Sequence, residues 1–154
     1  MAGEHLYYDD VEVGFTLETG GIVITESHVV QFAGLSGDFF DLHMDDAFAR
    51  GLGFPRRVAH GLLGLMLVDG LKNRVPRPFA GVASLSWQWN FRAPVFIGDR
   101  ISARLTLTDK RVTKRPERGI LTLDLAAHNQ DGAVVQDGTN MLMVRRRAPG
   151  GESS

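Results

Sequence analysis

Along the C-terminal half of the chain, apolar and polar residues alternate. Ala83, Leu85, Trp87, Trp89 and Phe91 are separated by Ser84, Ser86, Gln88 and Asn90. Ile101, Ala103, Leu105 and Leu107 alternate with Ser102, Arg104, Thr106 and Thr108, and Leu121, Leu123 and Leu125 with Thr122 and Asp124. A period of two sends successive side chains to opposite faces, so each run predicts a strand with one face committed to a core. A further run, 133–144, follows Asp131-Gly132, a pair that predicts a type I′ hairpin turn. Long, one-sided strands of this kind belong to an antiparallel sheet.

The N-terminal half has a different texture. Phe15 to Ile24 predicts one opening strand, bent at Gly20-Gly21. Thr25 is a natural N-cap for a short helix running to Leu35, with Val29, Val30, Phe32 and Ala33 inside it. Asp45 and Asp46 open a second short helix that Gly51 ends. From Gly61 to Val75, the residues Leu62, Leu63, Leu65, Met66, Leu67, Val68 and Leu71 cover nearly the whole circumference, which predicts a helix buried on all sides. A curved antiparallel sheet wrapped around that long central helix, about residues 61–75, is the economical arrangement, an α+β class. A sheet sandwich has no place for the helix. A second subunit is the natural cover for any helix flank or sheet edge left open.

Composition narrows the function. With 154 residues, 44% hydrophobic and 23% charged, the chain reads as one globular domain over 1–147, with 148–154 a disordered tail. The absence of cysteine excludes disulfides, thiolate metal sites and thiol nucleophiles. Seventeen basic and eighteen acidic residues give a net charge of −1, which argues against a nucleic-acid or anionic-membrane partner. The apolar run Gly61–Val68 is far short of the ~18 residues a membrane span needs. The start, Met1-Ala2-Gly3-Glu4-His5, lacks the basic and apolar blocks of a signal peptide. The expectation is a cytoplasmic enzyme or binding domain. Eight of the seventeen basic residues nevertheless fall in two short stretches, 110–118 and 145–147.

Two segments carry polar residues that do not suit a core. In the first, Phe32 to His43, Asp38 follows Ser36-Gly37 and sits among Leu35, Phe39, Phe40 and Leu42, with His43 five residues on. Five residues do not share a helical face, so the loop must curl if the two side chains are to meet. Either the pair works together, or Asp38 caps a turn and His43 caps the helix opening at Asp45. A metal set of Asp38, Asp41, His43 and Asp45 lacks a defined ligand spacing, so no metal is expected. His5, His28 and His128 read as surface residues. In the second segment, Arg56-Arg57-Val58-Ala59-His60-Gly61 leads into the long helix. The helix N-terminus offers free N–H groups to negative charge, and Gly61 has no side chain to block access. The alternative is that Gly61 merely permits close packing and His60 fills space. Gly51-Leu52-Gly53 is no dinucleotide fingerprint, and there is neither a P-loop nor a Gly-x-Ser-x-Gly elbow.

Together these segments resemble the MaoC-like dehydratase family, the (R)-specific enoyl-CoA hydratases of hot-dog fold. The resemblance rests on three blocks in order: Phe32-Ala-Gly-Leu-Ser36-Gly37-Asp38-Phe-Phe-Asp-Leu42-His43, then Val58-Ala59-His60-Gly61-Leu62, then Phe91-Arg-Ala-Pro94-Val95-Phe-Ile-Gly98-Asp99. It extends over about residues 10–145. Phe40-Asp41 stand where most relatives carry Asn-Pro, and Gly64, Leu65 and Met66 where some carry a serine.

The resemblance implies a hydro-lyase acting on an enoyl-CoA or 3-hydroxyacyl-CoA thioester by syn addition of water, without a cofactor. Asp38 and His43 would move the protons, and the Gly61 N–H would face the thioester oxygen. Phe39 and Phe40 would exclude water, with His60, Trp87 and Arg92 as further substrate contacts. It also implies that the acyl-pantetheine arm enters beside the helix at a homodimer interface. The coenzyme A phosphates would meet Lys110, Arg111, Lys114, Arg115 and Arg118, unless these decorate a solvated hairpin. Arg56, Arg57 and Arg92 are other candidates, and Arg145, Arg146 and Arg147 read as surface charges. Competing readings are a hot-dog thioesterase and a non-catalytic acyl-CoA-binding subunit of a hydratase assembly.

Overall fold

A computed structural model describes residues 4–148. The last six residues of the expected tail lie outside the described residues. Six strands, β1 (Thr16–Glu18), β2 (Ile22–Val23), β3 (Gly81–Phe91), β4 (Arg100–Val112), β5 (Arg118–His128) and β6 (Val134–Arg145), form one antiparallel sheet. Its order is β1-β4-β5-β6-β3, with β2 also on β4. The helices are α1 (Glu26–Ser36), α2 (Asp41–Met44), α3 (Asp46–Gly51) and α4 (Gly61–Asn73), preceded by a 3-10 turn at Tyr8–Asp10.

In the central strands the alternation works as expected. Ile101, Ala103, Leu105 and Leu107 of β4, with Leu121, Leu123, Leu125 and Ala127 of β5, are all buried in one cluster with Leu63 and Val68 of α4. The sheet therefore closes on the helix, and no helix among the described residues is long and apolar enough to cross a membrane.

Four expectations change. The opening strand is two short strands, β1 and β2, both laid on β4 and interrupted at Gly20-Gly21. A Cβ at Gly21 would lie 2.6 Å from Arg100 Nε, so a side chain there would have to displace the Arg100 guanidinium. The 129–133 hairpin is not type I′, which needs positive φ at both central residues. Here only Gly132 has positive φ (75°), and Gly132 N–H donates to Asn129 O at 3.1 Å. Asn129 Oδ1 accepts from the N–H groups of Asp131 and Ala133, which closes a longer loop.

The α4 helix stops at Asn73 rather than Val75. Val75 precedes Pro76, whose ring disfavours helical backbone at the residue before it. Nor is α4 buried all round: Leu62 is 60% and Met66 48% exposed. The apolar face of β3 is open as well, at Leu85 and Phe91. β3 is the sheet edge, with bulges between Gly81 and Ala83 and between Ser84 and Ser86. Among the described residues, nothing covers this flank.

Lys72 of α4 is only 2% exposed. Its Nζ donates to Asn140 Oδ1 at 3.1 Å, forms an ion pair with Asp69 at 2.8 Å and lies 5.2 Å from the Trp87 ring centre. At the far end of the sheet, the 3-10 turn is clamped to the chain after β6. Arg146 binds Asp9, and Arg147 binds Asp10 through two parallel contacts. Lys110 Nζ donates to the carbonyls of Tyr8 (3.0 Å) and Val11 (2.7 Å).

Candidate active site

The site begins where α1 stops. Gly37 takes the left-handed conformation (φ 77°), and its N–H donates to Ala33 O, which ends the helix. Ser36 Oγ accepts the Asp38 N–H, and Asp38 Oδ1 accepts the Phe40 N–H. These bonds curl residues 37–40 and occupy one carboxylate oxygen, while the other, Oδ2, lies 3.8 Å from His43 Nε2. His43 stands on α2, a single turn that the sequence reading did not foresee. Its Nδ1 lies 2.7 Å from the carbonyl of Val58. A carbonyl only accepts, so Nδ1 carries hydrogen and the neutral ring presents a lone pair at Nε2. His43 does not cap α3; Asp45 does, accepting from Ala47 N–H and Phe48 N–H.

The segment before α4 supplies the rest. Ala59 N–H donates to Val95 O at 2.7 Å, tying it to the Pro94–Asp99 turn. In that turn buried Asp99 accepts from Phe96 N–H and Gln130 Nε2. His60 is 3% exposed, and its Nε2 donates to the Asp38 carbonyl at 2.8 Å. Its ring stacks on His43 at 3.9 Å between centres, and Phe32 packs against it at 4.8 Å. Gly61 opens α4, so its N–H has no partner within the helix. A Cβ there would lie 2.7 Å from Phe91 Cε1.

His43 and Gly61 line a cleft of about 480 Å³ whose walls also include Leu42, Val58, Leu62 and Phe91, while Asp38 lies outside that lining, 3.8 Å from His43. At the base of the cleft lies Gln136, buried in β6, which the sequence reading missed. Its Nε2 donates to Gly61 O at 3.1 Å and its Oε1 accepts from Trp89 Nε1 at 2.9 Å. The available signal was one amide inside the apolar run Val134-Val135-Gln136.

Other anticipated residues lie elsewhere. Phe40 meets the edge of His43 at 6.0 Å, but Phe39 and Phe40 are both more than half exposed. Arg92 reaches the cleft rim with its Nε on both oxygens of Asp137. Trp87 packs over Lys72 rather than against the cleft. His60 lies beneath the Asp38–His43 pair rather than on the cleft wall. Arg57 is paired with Glu26 and Asp46, whereas Arg56 lies over the Phe96 ring at 4.7 Å. Lys110, Arg111, Lys114, Arg115 and Arg118 gather where Gly119 pairs with Val144, eight β6 residues from Gln136. At ~3.4 Å per residue that is ~27 Å from the cleft of the same chain. His28 is not idle surface: its Nδ1 accepts the Thr25 N–H in the α1 cap.

Donor atoms of Asp38, His43 and His60 lie within 4.8 Å of one another. Asp45, from the metal set weighed in the sequence, is spent on the α3 cap. Stacked rings hold their in-plane lone pairs side by side rather than converging on one ion, a poor fit to tetrahedral ligation.

Residues 11–129 match the family profile described as a MaoC like domain. The chain belongs to the MaoC-like dehydratase family. This MaoC-like chain is 34% identical over 143 residues to the 3-hydroxybutyryl-CoA dehydratase of Methylorubrum extorquens, covering 92% of this chain and 86% of that protein. It is 36% identical over 118 residues to the (R)-specific enoyl-CoA hydratase of Aeromonas caviae, covering 77% and 84%. A Mycobacterium tuberculosis protein described as a double hotdog fold superposes with a TM-score of 0.79 at 17% identity, over 97% of this chain and 47% of that one. The wrapped sheet and helix are thus a hot-dog fold.

Proposed function

We propose that this MaoC-like chain is a hydro-lyase that adds water to, or removes it from, an enoyl-CoA/3-hydroxyacyl-CoA pair, with Asp38 and His43 handling the protons on one face of the substrate. The observation that carries the reading is the pair of acceptors, Asp38 Oδ2 and His43 Nε2, 3.8 Å apart, with His43 on the wall of an apolar cleft beside the N-terminus of α4. A water ~2.8 Å from each would subtend roughly 85° at its oxygen, close enough to its own angle of ~104° to donate to both.

In hydration, His43 Nε2 takes one proton as the water oxygen bonds to Cβ, while Asp38 Oδ2 accepts a hydrogen bond from the hydrogen that stays on that oxygen and orients the nucleophile. The double-bond electrons move to the thioester oxygen. There the Gly61 N–H, at the positive end of the 13-residue α4, faces the enolate. The enolate collapses as Cα takes the proton back from His43 Nε2. Hydroxyl and hydrogen arrive on one face, and dehydration reverses each step. Only water and groups of this chain take part.

Two further features support parts of this reading. Leu62, Met66, Leu85 and Phe91 leave an apolar flank along α4 and the edge strand β3, as expected of a homodimer that covers it. Arg56, between cleft residues Phe54 and Val58 and without a carboxylate partner among the described residues, suits a coenzyme A phosphate.

The test is incubation with crotonyl-CoA while following loss of the conjugated thioester and release of free thiol. Hydration without thiol release, lowered ~10²–10⁴-fold in Asp38→Asn and His43→Ala, supports the reading. Thiol release would replace it with a thioesterase, and binding of acyl-CoA without turnover with an acyl-CoA-binding subunit. Sedimentation at assay concentrations checks the dimer, and an active monomer would overturn it.

A further inference from the structure

We infer that His60 is a positioning residue that sets the geometry of Asp38 and His43 from beneath; what that geometry accomplishes rests on the function proposed above. Residues 37–40 are otherwise held by local hydrogen bonds: Asp38 N–H to Ser36 Oγ, Phe39 N–H to Gly37 O and Phe40 N–H to Asp38 Oδ1. Among the described residues, the hydrogen bond that ties this loop to a distant part of the chain is the one from His60 Nε2 to the Asp38 carbonyl, across 22 residues. The same ring lies flat on His43, 3.9 Å away and tilted by 27°, with Phe32 packed against it. Rotation of His43 toward that side is blocked, while Val58 O holds its Nδ1.

Four consecutive residues therefore align the whole site. Val58 orients His43, His60 holds both members of the pair, and Gly61 presents the helix N-terminus. Ala59 anchors the segment to Val95.

The other nitrogen of His60 marks the ring as more than filler. Nδ1 is buried and has no hydrogen-bond partner among the described residues. Leaving a buried polar atom unpaired costs stability, which an apolar side chain of similar size would avoid. The imidazole combines a donor at Nε2 with a flat face for His43, and neither phenylalanine nor glutamine offers both.

The two contributions separate in two variants. His60→Phe keeps a ring and loses the donor; His60→Gln keeps a donor and loses the ring. Amide hydrogen exchange over residues 37–43 reads the positioning without turnover. His60→Phe should speed exchange there by ~10-fold while the strands keep wild-type protection, and His60→Gln should stay within ~3-fold of wild type. With crotonyl-CoA, both variants should lose ~10–100-fold in kcat with KM changed by less than ~3-fold. In an Asp38→Asn background His60→Phe should change the residual rate by less than ~2-fold, because the carboxylate that the lost hydrogen bond positions is gone.

Unchanged loop exchange in His60→Phe, kcat losses matched by KM, or full additivity with Asp38→Asn would each overturn the inference. If the wild-type protein turns over no enoyl-CoA, the proposed function fails, and the exchange measurement still decides the role of His60. Should His60→Phe not fold, His60→Leu replaces it as the donor-deficient variant in the same measurement.

Discussion

Replacing Gln136 by methionine should loosen the base of the cleft. Gln136 is 3% exposed and makes two side-chain hydrogen bonds, to Gly61 O at 3.1 Å and from Trp89 Nε1 at 2.9 Å. Methionine has similar length and makes neither. Each lost bond is worth ~0.5–1.5 kcal/mol net. The Gly61 carbonyl keeps its place in the α4 ladder, so the group left without a partner is the Trp89 indole N–H, which is only half-buried and partly recovers water. The expected destabilisation is ~1–3 kcal/mol. At ~2–4 °C per kcal/mol for a chain of this size, the Tm should fall by ~2–12 °C.

Thermal unfolding followed by circular dichroism at fixed protein concentration measures this, since any dimer would make the Tm concentration-dependent. The double-mutant cycle with Trp89→Phe isolates the indole bond and should return a coupling of ~0.5–1.5 kcal/mol. Additivity within ~0.3 kcal/mol, or a Tm unchanged in Gln136→Met, would refute the reasoning. Because Gly64 packs directly on the Gln136 amide, Gln136→Met should also disturb the first turn of α4 and lower kcat on crotonyl-CoA several-fold.

Other consequences are open to measurement. Gly61→Val should abolish most hydratase activity while leaving the protein folded, because its side chain drives into Phe91 and the mouth of the cleft; full activity would exclude Gly61 from the site. Arg56→Ala should raise KM for crotonyl-CoA and leave KM for crotonyl-pantetheine unchanged, so an equal effect on both esters argues against a phosphate contact. The clamp around the 3-10 turn should make stability depend on pH. For Asp9, burial acts to raise the carboxyl, but hydrogen bonds from Arg146 and the Arg147 N–H, with the charges of Arg146 and Lys110, leave it below the ordinary 3.8. For Asp10, the Arg147 hydrogen bond leads and also lowers it, against partial burial. Carboxyls depressed in the folded state bind protons more readily when unfolded. Their contribution is therefore complete above the ordinary value and is lost as pH falls below it, through the folded value. Asp9→Asn with Asp10→Asn should flatten the fall in Tm over that acidic range; an unchanged slope would show that the clamp does not set it.

The site was only partly legible in the sequence. The block from Phe32 to His43 marks Asp38 and His43, and their spacing requires a curled loop, which Gly37 and the Ser36 and Asp38 side chains provide. Gln136 was not legible, because a single amide in an apolar strand points inward or outward only once the strand has a neighbour. The basic run 110–118 left a phosphate site and a solvated hairpin both open, and only the structure shows Lys110 turned inward to the carbonyls of Tyr8 and Val11. Charge density in a sequence carries no information about which backbone oxygens lie within reach.

By itself, the sequence determined the properties that depend on near neighbours. Period-two alternation set β4 and β5, Thr25 set the start of α1, and the absence of cysteine restricted the candidate chemistry to carboxylate, imidazole and backbone N–H. Tertiary structure alone decided what depends on distant partners. Hydropathy marks β3 and α4 as apolar but does not say that β3 is an edge, so the open flank at Leu62, Met66 and Leu85 emerges only when the sheet is assembled. The Asp38–His43 geometry depends on Val58 and His60, 15 and 22 residues from their respective partners. Short-range propensity acts through a residue's own backbone and its nearest turns, whereas a hydrogen bond across a fold exists only after the core has brought both ends together.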